Sequence, residues 1–168
     1  MSAEDKHFSG SEIVEIGVEI EKNGHDFYNI MSDKLKDPKV KDFFRFMAGE
    51  EEKHIHDFQS ILGTVKTYEP YESYPQEYFA YLNTIASEYI FTKKDELQDK
   101  IKSIETEKEA IDVSLGLEKE SILFYEEMKK ALQEKEKAII DKIIEQEKNH
   151  AKGLLELRSS LKKERKDG

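Results

Sequence analysis

The sequence predicts an all-α fold, a four-helix bundle made of two antiparallel helical hairpins that a long crossover joins. In four long stretches, apolar residues recur at alternating spacings of three and four, which is the pattern of helices with one buried face. The composition agrees, because 38% charged residues and only 3 prolines among 168 residues are typical of long solvated helices. We therefore predict one domain over residues 1–168.

The two hairpins are predicted over residues 9–63 and 105–163. In the first hairpin, one helix ends near Lys36, and Asp37 followed by Pro38 is a typical cap and first position of the next helix. The connection inside each hairpin is short, so the paired helices are expected to be antiparallel neighbours.

The crossover, residues 64–104, is too long for a simple turn. It begins with an aromatic loop that includes Tyr68, Tyr71 and Tyr74, and its pattern then predicts an extra helix over about 76–91. Two hairpins with one long crossover are expected of ferritin-like folds. The extra helix is expected to pack outside the bundle or against a second subunit.

Composition also excludes several classes of site. Because the sequence has no cysteine, it has no disulfide, thiolate zinc site or iron–sulfur cluster, and this agrees with a cytoplasmic location. No apolar run approaches the roughly 20 residues that span a bilayer. A formal net charge of -10 argues against a broad nucleic-acid surface, so neither membrane nor nucleic acid is an expected partner.

Two Glu-x-x-His motifs, Glu51 with His54 and Glu147 with His150, organise the chain. Residues at i and i+3 project from the same face of a helix. That face is the apolar one, formed by Val40, Phe43, Met47, Phe58 and Ile61 around the first motif, and by Ile140, Ile143, Leu154, Leu157 and Leu161 around the second. Carboxylates and imidazoles are therefore predicted inside the core.

The other two helices add Glu21 and Glu118 beside their own apolar faces. These faces consist of Ile13, Gly17, Ile20, Gly24, Phe27, Met31 and Leu35, and of Ile111, Ser114, Leu117, Ser121, Phe124 and Met128. Four glutamates and two histidines thus point at one interior. A metal-free polar network would leave net buried negative charge, whereas bound cations balance it, and oxygen-rich ligation with imidazole suits iron or manganese.

The hairpins also resemble each other. Residues 20–28 match residues 117–125 at one glutamate, one lysine, one phenylalanine and one tyrosine, which predicts an internal duplication with pseudo-twofold symmetry. The matched tyrosines, Tyr28 and Tyr125, lie two turns beyond the glutamates. One interpretation is an ordinary core role, in which each phenol needs some buried polar partner.

This set of residues resembles the ligands of the rubrerythrin branch of the ferritin-like di-iron carboxylate proteins, over both hairpins. The resemblance implies that Glu51 and Glu147 bridge two iron ions, with manganese or zinc as alternative metals. It further implies that Glu21 and Glu118 are terminal carboxylate ligands and that His54 and His150 are the nitrogen ligands. Tyr28 and Tyr125 would then donate hydrogen bonds that orient ligand carboxylates.

The function that this resemblance implies is a di-iron oxidoreductase that reduces hydrogen peroxide or dioxygen. The sequence lacks the cysteines of a rubredoxin domain, so electrons would come from a separate donor protein such as a rubredoxin. A ferroxidase or iron-handling protein, and a non-enzymatic metal-binding module, are the alternatives. A homodimer is expected. Ser121 departs from the family pattern, which typically has a further glutamate there.

Three histidines outside the motifs have weaker signals. His56 is predicted to face solvent, because it lies two residues after His54 on another side of the helix. His25 lies near the edge of the buried face, four residues after Glu21, and His7 precedes the first helix. None of the three is predicted as a ligand.

Overall fold

The computed structural model describes residues 10–68, 81–82, 84 and 94–166 of the chain. Within these residues the chain forms helices and no strand, and the prediction of an all-α bundle is confirmed. The helices are α1 (Gly10–Lys34), α2 (Pro38–Tyr68), α3 (Lys94–Ser103), α4 (Glu107–Lys129) and α5 (Glu134–Lys166). None of the described helices is both long and apolar enough to cross a membrane.

The connection between α1 and α2 has the predicted chemistry. Asp37 Oδ1 accepts hydrogen bonds from the backbone N–H groups of Lys39 and Val40, at 2.9 and 3.2 Å, and so caps the first turn of α2. Glu107 Oε1 accepts hydrogen bonds from the N–H groups of Lys36 and Asp37, at 3.0 and 3.1 Å. The first residue of α4 therefore ties the two hairpins together at this end of the bundle.

A capping box that the sequence analysis overlooked fixes the start of α4. The side chain of Thr106 accepts a hydrogen bond from the N–H of Glu109, and the Glu109 side chain accepts one from the N–H of Thr106. The other helix ends differ from the predicted ones by only a few residues, except at the end of α2.

One prediction about the start of the crossover needs correction. The predicted end of α2 at Gly63 is wrong, since the helix continues to Tyr68. Gly63 has no heavy atom within 4 Å of an added Cβ and no positive φ, so it is an exposed glycine inside a helix rather than a terminating one. The helix predicted over 76–91 lies largely outside the described residues.

Helix α3 was not predicted, because only two of its ten residues, Leu97 and Ile101, are buried apolar residues. Lys34 Nζ donates a hydrogen bond to the Ile101 carbonyl oxygen at 2.9 Å, which connects α3 to the end of α1. Part of the predicted crossover is therefore a helix packed against the first hairpin.

The predicted buried faces of α1 and α4 lie entirely in the core. On α2 the register differs, because Phe44 is fully buried and stacks on Tyr28 at 5.5 Å, while Phe43 is only half-buried. The ring of Phe43 lies against Gly153 of α5, where an added Cβ would come within 2.6 Å of it. Small residues thus set how closely the hairpins approach.

Gly17 provides a test of this close packing. An alanine Cβ there would lie 2.9 Å from Met128 Cε and 2.9 Å from Phe58 Cε1, and the Phe58 side chain is fully buried. Overpacking costs roughly 1–3 kcal/mol, so Gly17→Ala is expected to lower the free energy of unfolding in urea despite alanine's better helix propensity. Gly116→Ala is the control, because nothing lies within 4 Å of its Cβ. Equal stabilisation by both substitutions would contradict this packing.

Candidate metal centre

Four helices bring the six predicted side chains into one buried cluster. Helix α1 provides Glu21, α2 provides Glu51 and His54, α4 provides Glu118, and α5 provides Glu147 and His150. None of the six residues is more than 3% exposed. The heptad-like spacing that buries each helix face therefore also buries these ionisable groups.

The cluster divides into two overlapping groups of possible ligands, each with its ligand atoms within 4.8 Å of one another. One group consists of Glu21, Glu51, His54 and Glu147, and the other of Glu51, Glu118, Glu147 and His150. Glu51 and Glu147 belong to both groups, whereas each of the other residues belongs to one. This is the arrangement in which two carboxylates are shared between two neighbouring positions.

Both histidines direct Nδ1 toward the carboxylates. His54 Nδ1 lies 2.8 Å from Glu147 Oε1 and 3.3 Å from Glu21 Oε2. His150 Nδ1 lies 3.2 Å from Glu147 Oε2 and 3.6 Å from Glu51 Oε1. The two imidazole rings stack with their centroids 5.8 Å apart, so the histidines occupy the same side of the cluster.

Two tyrosines hydrogen-bond to the cluster in a crosswise manner. Tyr28 of α1 donates to Glu118 Oε1 of α4, and Tyr125 of α4 donates to Glu21 Oε1 of α1. Burial, and then the charge of nearby carboxylates, raises the pKa of both phenols well above the usual value. Both hydroxyl groups therefore stay protonated and fix the orientation of the carboxylates that they contact.

The carboxylates do not share one protonation behaviour. Burial, reinforced by the charge of Glu147, raises the pKa of Glu51 and of Glu118 well above the usual value. Burial alone would also raise the pKa of Glu147, but hydrogen bonds with Glu118 and with the histidines outweigh it and lower that pKa. The metal-free cluster thus keeps protons on some carboxylates and charge on Glu147.

The histidines are protonated in the metal-free cluster. Burial lowers the pKa of an imidazole, but hydrogen bonds with Glu147 and Glu21 raise the pKa of His54 to about 11. Hydrogen bonds with Glu118 and Glu147 likewise raise the pKa of His150 to about 10. When no metal is bound, the protonated imidazoles therefore supply positive charge beside the carboxylates of the cluster.

These residues fit a pair of divalent cations. Glu51 Oε1 is a buried oxygen that accepts no hydrogen bond, and Glu118 Oε2 and Glu147 Oε1 have no partner beyond the approach of His150 Nδ1 at 3.7 Å and of His54 Nδ1 at 2.8 Å. Unsatisfied buried carboxylate oxygens are costly, and without metal the cluster limits its negative charge only by holding protons on carboxylates and imidazoles, a role that two divalent cations would fill. Gly24 leaves room for this arrangement, because a Cβ there would lie 3.2 Å from Glu51 Oε2.

Comparison with known proteins agrees with this geometry. A family model of rubrerythrin matches residues 12–158. The chain belongs to the rubrerythrin family. Among solved structures, it is similar to a Thermotoga maritima protein described as a ferritin-like diiron-carboxylate protein, with a TM-score of 0.64 and 26% identity over 91% of this chain and 96% of that one. The comparison with curated proteins gives no significant match.

Membership of the rubrerythrin family and the buried cluster together support a centre for two metal ions. Ser121, which replaces the further glutamate typical of rubrerythrins, is buried and donates a hydrogen bond to the Leu117 carbonyl oxygen at 3.0 Å. The hydroxyl therefore serves its own helix. Among the described residues, no additional carboxylate belongs to either group of possible ligands.

The histidines outside the motifs lie away from the carboxylates. His56 is exposed, as predicted. His25 Nδ1 lies 2.8 Å from the carbonyl oxygen of Ala48, so His25 links α1 to α2, and His7 lies outside the described residues. Two further neighbours of the histidines were not predicted. Gln146 Oε1 lies 3.0 Å from His54 Nε2, and the ring of Phe46 lies edge-on to that of His150 at 6.2 Å.

Proposed function

We propose that this chain binds two iron ions in the cluster and reduces hydrogen peroxide, or dioxygen, with electrons from a separate donor protein. The observation behind this proposal is the pair of overlapping ligand groups that share Glu51 and Glu147. Two ferrous ions supply the two electrons that, with two protons, convert one peroxide molecule into two molecules of water. Manganese or zinc would fit the same donors but would not all support this chemistry.

The residues of the chain have distinct tasks in this proposal. Glu51 and Glu147 would hold both ions, and Glu21, Glu118, His54 and His150 would each complete one position. Tyr28 and Tyr125 keep Glu118 and Glu21 in fixed orientations. The apolar core around the cluster, including fully buried Phe44 and Phe58, limits the entry of water and larger substrates.

Anaerobic titration tests the reaction. Protein loaded with ferrous iron and freed of unbound metal is titrated with hydrogen peroxide while absorbance follows the oxidation. We expect about one peroxide consumed per pair of irons, and repeated turnover once a reductant is added. A ferrous protein that peroxide leaves unchanged would contradict the proposal. Rapid oxidation without turnover, with iron accumulating, would instead favour the ferroxidase alternative.

A further inference from the structure

The two histidines of the cluster differ on the side that faces away from the carboxylates. His54 Nε2 lies 3.0 Å from Gln146 Oε1 of α5. For His150, the described part of the chain provides no hydrogen-bond partner at Nε2, and the neighbour is instead the ring of Phe46, which is 54% exposed. One imidazole is therefore held by a polar group and the other by an apolar contact.

The internal duplication allows the neighbours of the two histidines to be compared position by position. Gln146 directly precedes Glu147, just as Glu50 directly precedes Glu51 in the first half. Glu50 is thus the counterpart that could bind His150, but Glu50 Oε1 pairs with Lys53 Nζ at 2.6 Å. The position is repeated in both halves, whereas the contact with a histidine exists in only one.

A histidine that binds a metal ion is a neutral imidazole, so His54 must lose one of its two N–H protons on binding, and the contact with Gln146 determines which proton it keeps. A neutral imidazole has one N–H and one lone pair, and an amide oxygen can only accept a hydrogen bond. The bond to Gln146 Oε1 therefore requires the proton on Nε2. The lone pair is then on Nδ1, which is the atom that faces Glu21 and Glu147.

We propose that Gln146 is a positioning residue for His54, which holds the imidazole in the tautomer whose Nδ1 can bind a metal ion, and that the two metal positions consequently differ in affinity. This inference rests on the proposed two-metal centre. Partners that orient a ligating histidine typically contribute 10–100-fold in metal affinity. The position at His54 is the tighter one, because His150 has no such partner within the described residues.

Cobalt(II) binding by the full metal-free chain tests the proposal. Wild-type protein is expected to bind cobalt in two steps of different affinity. Gln146→Met keeps the side-chain length but removes the acceptor, and should weaken the tighter step by about 10–100-fold. Gln146→Glu keeps an acceptor and should retain that step. Lys142→Met, one turn earlier and exposed, is the control and should bind as wild type does.

Proton NMR of the cobalt-loaded proteins gives a second readout, which loss of packing alone would not produce. We expect one shifted imidazole N–H that exchanges slowly in wild type and in Gln146→Glu, and rapidly in Gln146→Met. Unchanged affinity and unchanged exchange in Gln146→Met would overturn the role of Gln146 and leave the metal centre standing. Failure of wild-type protein to bind cobalt would overturn both.

Discussion

Replacing Glu51 or Glu147 by alanine is expected to remove both metal ions, because each of these carboxylates belongs to both groups of ligands. We expect the affinity for cobalt(II) or iron(II) to fall by more than about 100-fold at both positions, a larger loss than for partners that only orient a ligand. Glu21→Ala should weaken one position selectively, since Glu21 belongs to one group. Equilibrium dialysis with elemental analysis measures the stoichiometry.

The matched control is Glu52→Ala, in which the removed carboxylate is exposed and adjacent in sequence to Glu51. It should bind two ions with wild-type affinity. Glu51→Ala should still fold without metal, because burial already disfavours the charge of the Glu51 carboxylate. Circular dichroism checks this. Retention of two ions by Glu51→Ala and Glu147→Ala would contradict the shared-ligand arrangement.

The metal-free protein is expected to lose stability as the pH rises. The pKa values of His54 and His150 are raised from 6.5 to about 11 and about 10 in the folded protein. The stability that they contribute is complete below pH 6.5 and is lost as the pH rises through these values. Glu51 and Glu118, whose pKa values are also raised, contribute stability below their usual pKa that is lost with rising pH.

The contribution of Glu147 to the pH dependence of stability has the opposite sign. Its pKa is lowered in the folded protein, so its contribution is present above the usual pKa and is lost only in acid. Metal-free protein should therefore be most stable in mildly acidic solution. Above that pH range, the free energy of unfolding should fall by roughly 1 kcal/mol per pH unit for each proton that the folded protein binds and the unfolded protein does not. Urea denaturation between about pH 6 and about pH 9, with a chelator present, measures the slope.

Two comparisons, one with variants and one with bound metal, distinguish titration of the buried cluster from titration of surface groups. Substitution of glutamine for both His54 and His150 should flatten the slope, while His56→Gln, an exposed control, should leave it unchanged. Bound metal should also remove the loss at high pH, because metal ligands bind in the deprotonated form. A free metal concentration of 1,000 times Kd stabilises the folded protein by about 4 kcal/mol. A metal-free protein that becomes more stable from neutral to alkaline pH would contradict the protonated cluster.

Much of the cluster could be predicted because local spacing determines it. The i, i+3 spacing places Glu51 beside His54 and Glu147 beside His150, and the apolar residues around each motif show that this face is buried. The structure places all six residues together for the same reason. The excess of carboxylates over imidazoles among these residues then predicts bound cations.

Contacts between helices could not be predicted in the same way. The crosswise bonds of Tyr28 and Tyr125 depend on how α1 and α4 face each other, which the spacing within each helix does not determine. Gln146 lies next to Glu147 and therefore off its face, and only the approach of α5 to α2 brings it to His54. Burial of Phe44 rather than Phe43 also depends on that packing.

Predictions of helix position were wrong or missing where the local sequence signal was ambiguous. The sequence predicts that α2 ends near Gly63, yet an exposed glycine costs a helix only about 1 kcal/mol, and the next turn adds the half-buried Val65. Helix α3 was missed because nearly all of its residues are polar, and it packs against α1, with Leu97 and Ile101 in the core. Tertiary packing, rather than propensity, determines both elements.

An anomalous difference map from crystals of the iron-loaded protein, recorded at the iron absorption edge, would show directly whether the cluster binds two metal ions. We expect two peaks about 3.5–4 Å apart inside the bundle. One should lie among Glu21, Glu51, His54 and Glu147, and the other among Glu51, Glu118, Glu147 and His150. A single peak at this cluster, or iron bound only at the surface, would contradict the two-metal centre.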